Sequence, residues 1–235
     1  MKPRIIFFDI DGTILPIGER AVHAPVVEAL TAVHDRGVKL FIATGRAPYT
    51  LPYLSGIPFD GAICFNGAYC YDDSGLIHAE PMPREDIGTV IRNAEALGCP
   101  FTVATSTRYH SEVPAEGADP VLQLTVRTVE AHDALLVKGA PHVKTARWWH
   151  RAVDIVPAHW GKAQGIAKVI AHYGIPLEAT MAFGDSGNDA DMLAYAGTGV
   201  ALGNATDAAK QAADHVTDTC ENDGVVAALR HFGVL

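Results

Sequence analysis

Long apolar segments are absent from this sequence of 235 residues. A helix that crosses a bilayer needs ~20 predominantly apolar residues, whereas the first apolar run covers residues 5–8 and is stopped by Asp9. That run is also too short for the hydrophobic region of a secretory signal peptide. We therefore expect a cytoplasmic protein that does not associate with membranes.

Cysteine and basic residues are scarce as well. The four cysteines include no CxxC pair and are too few for a disulfide scaffold, so reduced thiols are expected. Lysine and arginine number 18 against 27 acidic residues, which gives a net charge of -9. Because nucleic-acid affinity comes largely from basic side chains that neutralise phosphates, this charge argues against a nucleic-acid partner. A small phosphorylated metabolite needs only a local positive pocket and is not excluded.

The hydrophobic pattern predicts an α/β fold. Hydrophobic residues make up 49% of the chain and charged residues 19%, which is typical of a globular protein. Short apolar runs alternate with amphipathic helical patterns, and this alternation indicates parallel βαβ units. The strands are predicted at residues 5–8, 38–43, 62–65, 180–183 and 199–202, and two of the helices within residues 24–37 and 161–174.

The middle of the chain has a different pattern. It begins with a predicted helix over residues 84–97, and strands with one exposed face follow at residues 121–129 and 143–156. Proline-containing joints flank it at residues 79–83 and 156–161. We therefore predict a second domain, residues 82–157, inserted into a discontinuous first domain made of residues 1–81 and 158–235.

Acids, a hydroxyl and an amide stand just after three of the predicted strands. In parallel α/β sheets, ligands bind at the carboxyl ends of the strands, so these side chains would converge on one crevice if the strands are neighbours. Clustered oxygen ligands suit a hard divalent cation, most naturally Mg²⁺, which commonly binds a substrate phosphate as well. The residues are Asp9, Asp11, Thr44, Asp185, Asn188 and Asp189.

Four motifs carry a resemblance to a known family. The segments "DIDGT", "ATGR", "GKAQGI" and "GDSGND" begin at residues 9, 43, 161 and 184. Together they resemble the motifs of the haloacid-dehalogenase-like (HAD) superfamily of phosphohydrolases. The segment "FNGAYCYDDSGLI" and the position of the insert are similar to the Cof-type subfamily. The resemblance implies a Rossmann-like, doubly wound parallel sheet as the core and an inserted α+β cap domain.

The resemblance also implies an activity and its catalytic residues. The protein would be a Mg²⁺-dependent phosphatase that hydrolyses small phosphate monoesters, such as sugar phosphates, through an aspartyl-phosphate. Asp9 would attack phosphorus, and Asp11 would act as general acid and then as general base. Thr44 would hold phosphate oxygens, and Lys162 would neutralise charge on the transferring phosphoryl group.

Ligand-binding roles follow from the same resemblance. The phosphate would be held by the Ile10 and Gly45 amides together with Thr44, Lys162 and Asn188. The Mg²⁺ ligands would be Asp9, the Asp11 carbonyl oxygen, Asp185 and Asp189, the last either as a ligand or as a supporting residue.

Two other functions stay open at this point. A phosphomutase of the same superfamily would hand the phosphoryl group to a second hydroxyl, and a non-catalytic sensor would bind a phosphorylated metabolite without turnover. The sensor is disfavoured because it has no need of Asp11. Arg46 is interpreted as a possible structural ion pair, and Asp189 has a second interpretation as a residue that favours the first turn of a helix through the helix dipole.

Overall fold

The computed structural model describes residues 2–115 and 118–235, which fold around two β-sheets. The strands, in chain order, are β1 (Ile5–Phe8), β2 (Lys39–Ala43), β3 (Gly61–Cys64), β4 (Tyr69–Asp72), β5 (Gly75–Ala79), β6 (Phe101–Thr105), β7 (Tyr109–His110), β8 (Val121–Val126), β9 (Val143–Trp149), β10 (Ala152–Pro157), β11 (Thr180–Gly184), β12 (Gly199–Ala201) and β13 (His215–Val216). The α-helices are α1 (Ala24–Asp35), α2 (Arg84–Ala96), α3 (Asp133–Leu136), α4 (Lys162–Tyr173), α5 (Ala190–Tyr195), α6 (Asp207–Ala212) and α7 (Gly224–His231).

The large sheet has eight strands in the order β13-β12-β11-β1-β2-β3-β4-β5. Pairing is parallel from β13 to β3, and β4 and β5 are added antiparallel at one edge. β1 lies in the middle, with Ile6 opposite Met181 of β11 on one side and Leu40 of β2 on the other. The carboxyl ends of these three strands therefore meet at the same edge of the sheet.

Helices cover both faces of the large sheet because its central strands are apolar on both sides. In β1, Ile6 and Phe8 are buried in the core that contains α1 and α7, whereas Ile5 and Phe7 are buried in the core that contains α4 and α5. Alternate residues of a strand point to opposite faces, so a short run of four apolar residues serves two hydrophobic cores. The predicted fold class, a doubly wound parallel sheet with an inserted α+β domain, is confirmed.

The small sheet has five antiparallel strands in the order β7-β6-β8-β10-β9. One face is buried with α2, through residues such as Val90 of the helix and Leu124 of β8. Gln123 and Asp154 project from the other face and contact the large-sheet part of the molecule. These strands lie within residues 82–157; the two domain boundaries themselves stay a prediction.

One predicted strand has a different form in the structure. Residues 143–156 were expected to be a single strand, but β9 and β10 form a hairpin that turns at His150 and Arg151. This turn contains none of the Gly, Pro, Asn or Asp residues that usually mark a tight turn, which is why the pattern looked continuous. The five predicted strands of the large sheet, and the helices α1, α2 and α4, are confirmed to within two residues at each end.

Two compositional observations have structural counterparts. Across the described ranges, every helix is too short or too polar to cross a bilayer. Each of the four cysteines is buried and forms no disulfide.

Candidate active site

Three neighbouring strands of the large sheet end in residues that the sequence singled out. Asp9 follows β1, Thr44 follows β2, and Asp185 follows β11. Because β11, β1 and β2 are adjacent and parallel, their ends bring distant parts of the chain together. One carboxylate oxygen from each of Asp9, Asp185 and Asp189 lies within 4.8 Å of the others.

Lys162 is the first residue of α4, and its ammonium group lies between two of these acids. Its Nζ donates hydrogen bonds to Asp9 Oδ1 at 2.7 Å and to Asp189 Oδ1 at 2.5 Å. Lys162 and Asp189 have no solvent exposure and Asp9 is 7% exposed. Charged groups this deeply buried are costly unless they are paired, so the cluster is a fixed part of the fold.

The cluster holds more negative than positive charge. Burial raises the pKa of Asp9 well above its ordinary value; the Lys162 charge opposes this, and the charges of Asp189 and Asp185 add to it. Burial also raises the pKa of Asp185 to about 7, with Asp189 as the second cause. Burial alone would lower the pKa of Lys162, but the charges of Asp189 and Asp9 outweigh it and raise the pKa. A site with this surplus of negative charge favours a further cation.

A tight turn after β1 makes space for Asp185. Gly12 has a φ of +86°, a left-handed conformation that glycine adopts without strain. A Cβ at this position would lie only 2.5 Å from Asp185 Oδ2. The next residue, Thr13, donates a hydrogen bond from Oγ1 to Asp185 Oδ1 at 3.1 Å. The turn therefore both admits the Asp185 carboxylate and orients it.

Asp11 has a different environment from Asp9, although the two are separated by one residue. Its side chain is 40% exposed and accepts two hydrogen bonds from Arg46, from Nε and Nη2, each at 2.7 Å. Such two-pronged pairing fixes a carboxylate in position. The sequence interpretation of Arg46 as an ion-pair residue thus has a structural counterpart, and its partner is the acid proposed for proton transfer.

The predicted phosphate-binding groups surround this edge of the sheet. Thr44 is buried, and its Oγ1 accepts a hydrogen bond from the Arg46 amide at 3.2 Å. Ile10 is buried at the start of the turn, and its carbonyl oxygen accepts hydrogen bonds from the backbone amides of three following residues. Within residues 2–115 and 118–235, the Ile10 and Gly45 amides donate to no other protein group.

Asn188 contacts a residue that sequence reasoning missed. Its Nδ2 donates to Oδ1 of Asn66 at 2.9 Å. Asn66 follows β3, is 3% exposed and has a φ of +53°. The Asn-Gly pair at Asn66 and Gly67 is a turn signal, but nothing in the sequence pattern places that turn beside the loop after β11.

The acids fit a divalent cation with oxygen ligands, though not all of them equally. Asp9 and Asp185 together bring two carboxylates whose pKa values are raised first by burial and then by the charges of neighbouring acids. Both oxygens of Asp189 are already used, because Oδ1 accepts from Lys162 and Oδ2 accepts from the amides of Asp185 and Ser186. Asp189 is therefore better placed to hold its neighbours than to ligate an ion.

The sequence matches a known protein family over most of its length. A family model described as haloacid dehalogenase-like hydrolase matches residues 6–119 and 127–229. The chain belongs to this family. The predicted recognition and the predicted enzyme class, a phosphoric monoester hydrolase, are confirmed, since the similar proteins are named phosphatases.

Similar phosphatases match over nearly their whole length. A HAD subclass IIB sugar phosphatase of known structure is 32% identical with a TM-score of 0.92, and the match covers 99% of this chain and 100% of that one. The pyridoxal phosphate phosphatase of Escherichia coli K12 is 30% identical over 96% of this chain and 97% of its own. The 5-amino-6-(5-phospho-D-ribitylamino)uracil phosphatase of Bacillus subtilis 168 is 29% identical over 98% of both chains.

Proposed function

We propose that this protein is a Mg²⁺-dependent phosphatase that hydrolyses small phosphate monoesters through an aspartyl-phosphate at Asp9. The observation that carries the proposal is the contact of Asp9 with the buried Lys162 ammonium at the end of β1. A carboxylate repels an anionic substrate unless positive charge is fixed beside it. Lys162 supplies that charge at the carboxylate that would bond to phosphorus.

The reaction divides into two displacements. In the first, an Asp9 oxygen bonds to phosphorus, the ester P–O bond breaks, and Asp11 gives its proton to the departing alkoxide. In the second, Asp11 takes a proton from water, the water oxygen bonds to phosphorus, and the acyl-phosphate bond to Asp9 breaks. Inorganic phosphate and the alcohol are the products. Asp11 is half-exposed and can therefore exchange protons. Because Arg46 occupies both of its oxygens, one of these hydrogen bonds must open before Asp11 carries the proton that it donates.

The phosphate oxygens would be held by groups from three strand ends. The Ile10 and Gly45 N–H groups are available as hydrogen-bond donors. Thr44, Lys162 and Asn188 lie around the same edge of the large sheet. Phosphoryl transfer spreads negative charge over these oxygens, so amide donors and a cation that are fixed in advance stabilise the transition state.

Mg²⁺ would be held by Asp9, the Asp11 carbonyl oxygen and Asp185. When bound, it supplies positive charge that keeps Asp9 ionised and offsets the charge of the incoming phosphate. Asp189 would support this group, because it anchors Lys162 and the amides of Asp185 and Ser186.

The substrate class is proposed from the names of the similar proteins. Their names specify a sugar phosphate, a phosphorylated ribityl compound and pyridoxal phosphate, so a small phosphorylated metabolite, with sugar phosphates first among them, is the proposed partner. Residues 82–157 would form the cap over the core of residues 1–81 and 158–235. We place the protein in the cytoplasm.

The test is phosphate release from p-nitrophenyl phosphate with and without Mg²⁺. Release that depends on Mg²⁺ and is lost in Asp9→Asn is the expected result. Absence of release with every divalent metal would refute the proposal. Product analysis with a hexose phosphate then separates hydrolysis, which yields free phosphate, from transfer to a second hydroxyl.

A further inference from the structure

Asn66 joins the phosphate-binding side of the site to the small sheet. On the large-sheet side, its Oδ1 accepts from Nδ2 of Asn188 at 2.9 Å. Its amide group also lies against Gly45, where a Cβ would come within 3.1 Å of both Asn66 Nδ2 and Oδ1. Asn66 therefore touches two of the residues proposed to hold phosphate, and these come from different strand ends.

The small sheet binds the other polar atom of the same amide group. Asn66 Nδ2 donates to Gln123 Oε1 at 3.0 Å and to Asp154 Oδ2 at 3.1 Å. Gln123 also reaches the phosphate loop directly, because its Nε2 donates to the Gly45 carbonyl oxygen at 3.3 Å. All the polar atoms of the Asn66 amide thus have partners, and these partners fix which way the amide faces.

Asp154 is an unusual residue in this network. It is 3% exposed, and among the described residues no lysine, arginine or histidine forms an ion pair with it. Its other oxygen accepts from Thr125 Oγ1 at 2.8 Å. Burial raises its pKa to about 6, against hydrogen bonds from Thr125, Asn66 and Trp148. A buried acid that is satisfied only by neutral donors is costly, so a function beyond packing has to be sought for it.

We propose that Asp154 and Gln123 are positioning residues of the phosphate site: seated against the large sheet, they fix the Asn66 amide, and Asn66 in turn orients Asn188 and Gly45. This inference rests on the proposed phosphatase function. Neither residue touches the reacting atoms. With the small sheet lifted away, Asn66 loses the two acceptors of its Nδ2 and is free to rotate, so the phosphate site is completed only when the two sheets meet.

The first test compares three substitutions by steady-state hydrolysis of p-nitrophenyl phosphate with Mg²⁺. Asp154→Ala removes the acceptor and should lower kcat/KM about tenfold, the effect of one lost hydrogen bond of ~1.4 kcal/mol. Asp154→Asn can turn its oxygen to Asn66 and its amide to Thr125, so kcat/KM should stay within about threefold of wild type. The matched control is Asp86→Ala, since Asp86 is a similarly buried acid of α2 whose carboxylate, among the described residues, accepts hydrogen bonds only from His142. Its melting temperature should fall while kcat/KM remains within about twofold of wild type.

The second test asks whether Asp154 acts through Asn188. In the Asn188→Ala background, adding Asp154→Ala should reduce kcat/KM by clearly less than the tenfold expected in the wild-type background, because only the route through Gly45 remains. An independent readout is the rise in melting temperature caused by inorganic phosphate with Mg²⁺, which should shrink in Asp154→Ala and stay unchanged in Asp86→Ala. If Asp154→Ala does not fold, Gln123→Ala and Asn66→Gly provide the same comparison, and glycine suits the positive φ of residue 66.

The contradictory results are equally defined. An equal fold-loss from Asp154→Ala with and without Asn188 would show a general structural role and overturn the inference. A loss in Asp154→Asn as large as in Asp154→Ala would show that the charge itself is needed, and would also overturn it. Failure of the proposed function is recognised separately, because Asp9→Asn would then retain the activity of the wild type.

Discussion

Two of the buried carboxylates, those of Asp9 and Asp154, lie in opposite surroundings. Asp9, at the end of β1, receives a hydrogen bond from the Lys162 ammonium and lies beside two further acids. Asp154, in the small sheet, receives hydrogen bonds from the neutral side chains of Thr125 and Asn66. Their exposures are similarly low, 7% and 3%, so burial alone does not distinguish them.

The difference in surroundings indicates different roles for the two carboxylates. A carboxylate that meets a phosphate group needs fixed positive charge at its side, because both partners are anionic. If the two sheets were to separate, a carboxylate paired with a charged group across their contact would lose an ion pair, whereas neutral donors lose less when they return to water. Charged surroundings therefore mark the group proposed to react, and neutral surroundings mark the group proposed to position.

One substitution made at both places gives the largest expected contrast. Asp9→Asn removes the proposed nucleophile, so Mg²⁺-dependent phosphate release should fall by at least about 1,000-fold. Asp154→Asn keeps an acceptor for Asn66 and should retain activity within about threefold. Steady-state release of p-nitrophenol measures both, and equal losses would break the comparison.

The second prediction concerns the Lys162 ammonium group, which is present beside Asp9 and, in the described part of the chain, has no counterpart beside Asp154. Lys162→Met keeps the length of the side chain and removes the charge shared by Asp9 and Asp189, so folding stability should fall by about 3 kcal/mol and activity by about 100-fold. The control is Lys39→Met, which breaks the partly exposed pair with Asp60 and should cost less than about 1 kcal/mol. Urea unfolding measures both. A loss of stability for Lys162→Met no larger than for Lys39→Met would show that the buried cluster does not depend on the Lys162 charge.

Because the buried cluster holds more acids than bases, the folding stability of the metal-free protein should depend on pH. Asp185 has a folded-state pKa of about 7 against an ordinary value of 3.8, so the folded state binds this proton more tightly than the unfolded state does. The contribution of this group to folding stability should therefore be complete below about pH 4 and should decline as the pH rises to about 7, by roughly 4 kcal/mol in all. Asp185→Asn should reduce the decline and leave the part that Asp9 contributes, and thermal unfolding in EDTA at several pH values measures it. An unchanged decline in the variant would assign it to other groups.

The same proton affects metal binding. Mg²⁺ must displace it from Asp185, so the Mg²⁺ concentration for half-maximal activity should rise about tenfold for each pH unit below 7. Above that pH it should become constant. A half-saturating concentration that is independent of pH would exclude Asp185 as a ligand.

The smallest expected effect concerns the turn that admits Asp185. Gly12→Ala combines a positive φ with a contact of 2.5 Å to Asp185, and should cost about 2 kcal/mol. Gly18→Ala has a similar φ of +89° but nothing within 4 Å, so it should cost only about 1 kcal/mol. The difference between the two isolates the contact, and equal costs would show that only backbone strain matters.

The residues at the strand ends could be predicted from the sequence because each is adjacent in the chain to a recognisable strand. Asp9 follows β1 directly and Asp185 follows β11, and the parallel-sheet rule then brings their ends together. The four motifs added Lys162, whose position at the start of a helix would otherwise suggest a surface residue.

The contacts between the two sheets could not be predicted in this way. Asn66 lies 57 residues from Gln123 and 88 from Asp154, and no local pattern encodes how one sheet lies on the other. The pairing of Asp11 with Arg46 similarly depends on how the Gly12 turn directs the chain. The hairpin at His150 was missed because its turn lacks the usual turn residues.

The most direct test of the central claim is to trap the phosphoryl group on Asp9. Wild-type protein would be mixed with Mg²⁺ and a ³²P-labelled sugar phosphate, quenched in acid during the first turnovers, and digested. We predict label on the peptide that contains Asp9, and none in Asp9→Asn. Full turnover with no labelled peptide, or with label on a peptide that lacks Asp9, would contradict the account.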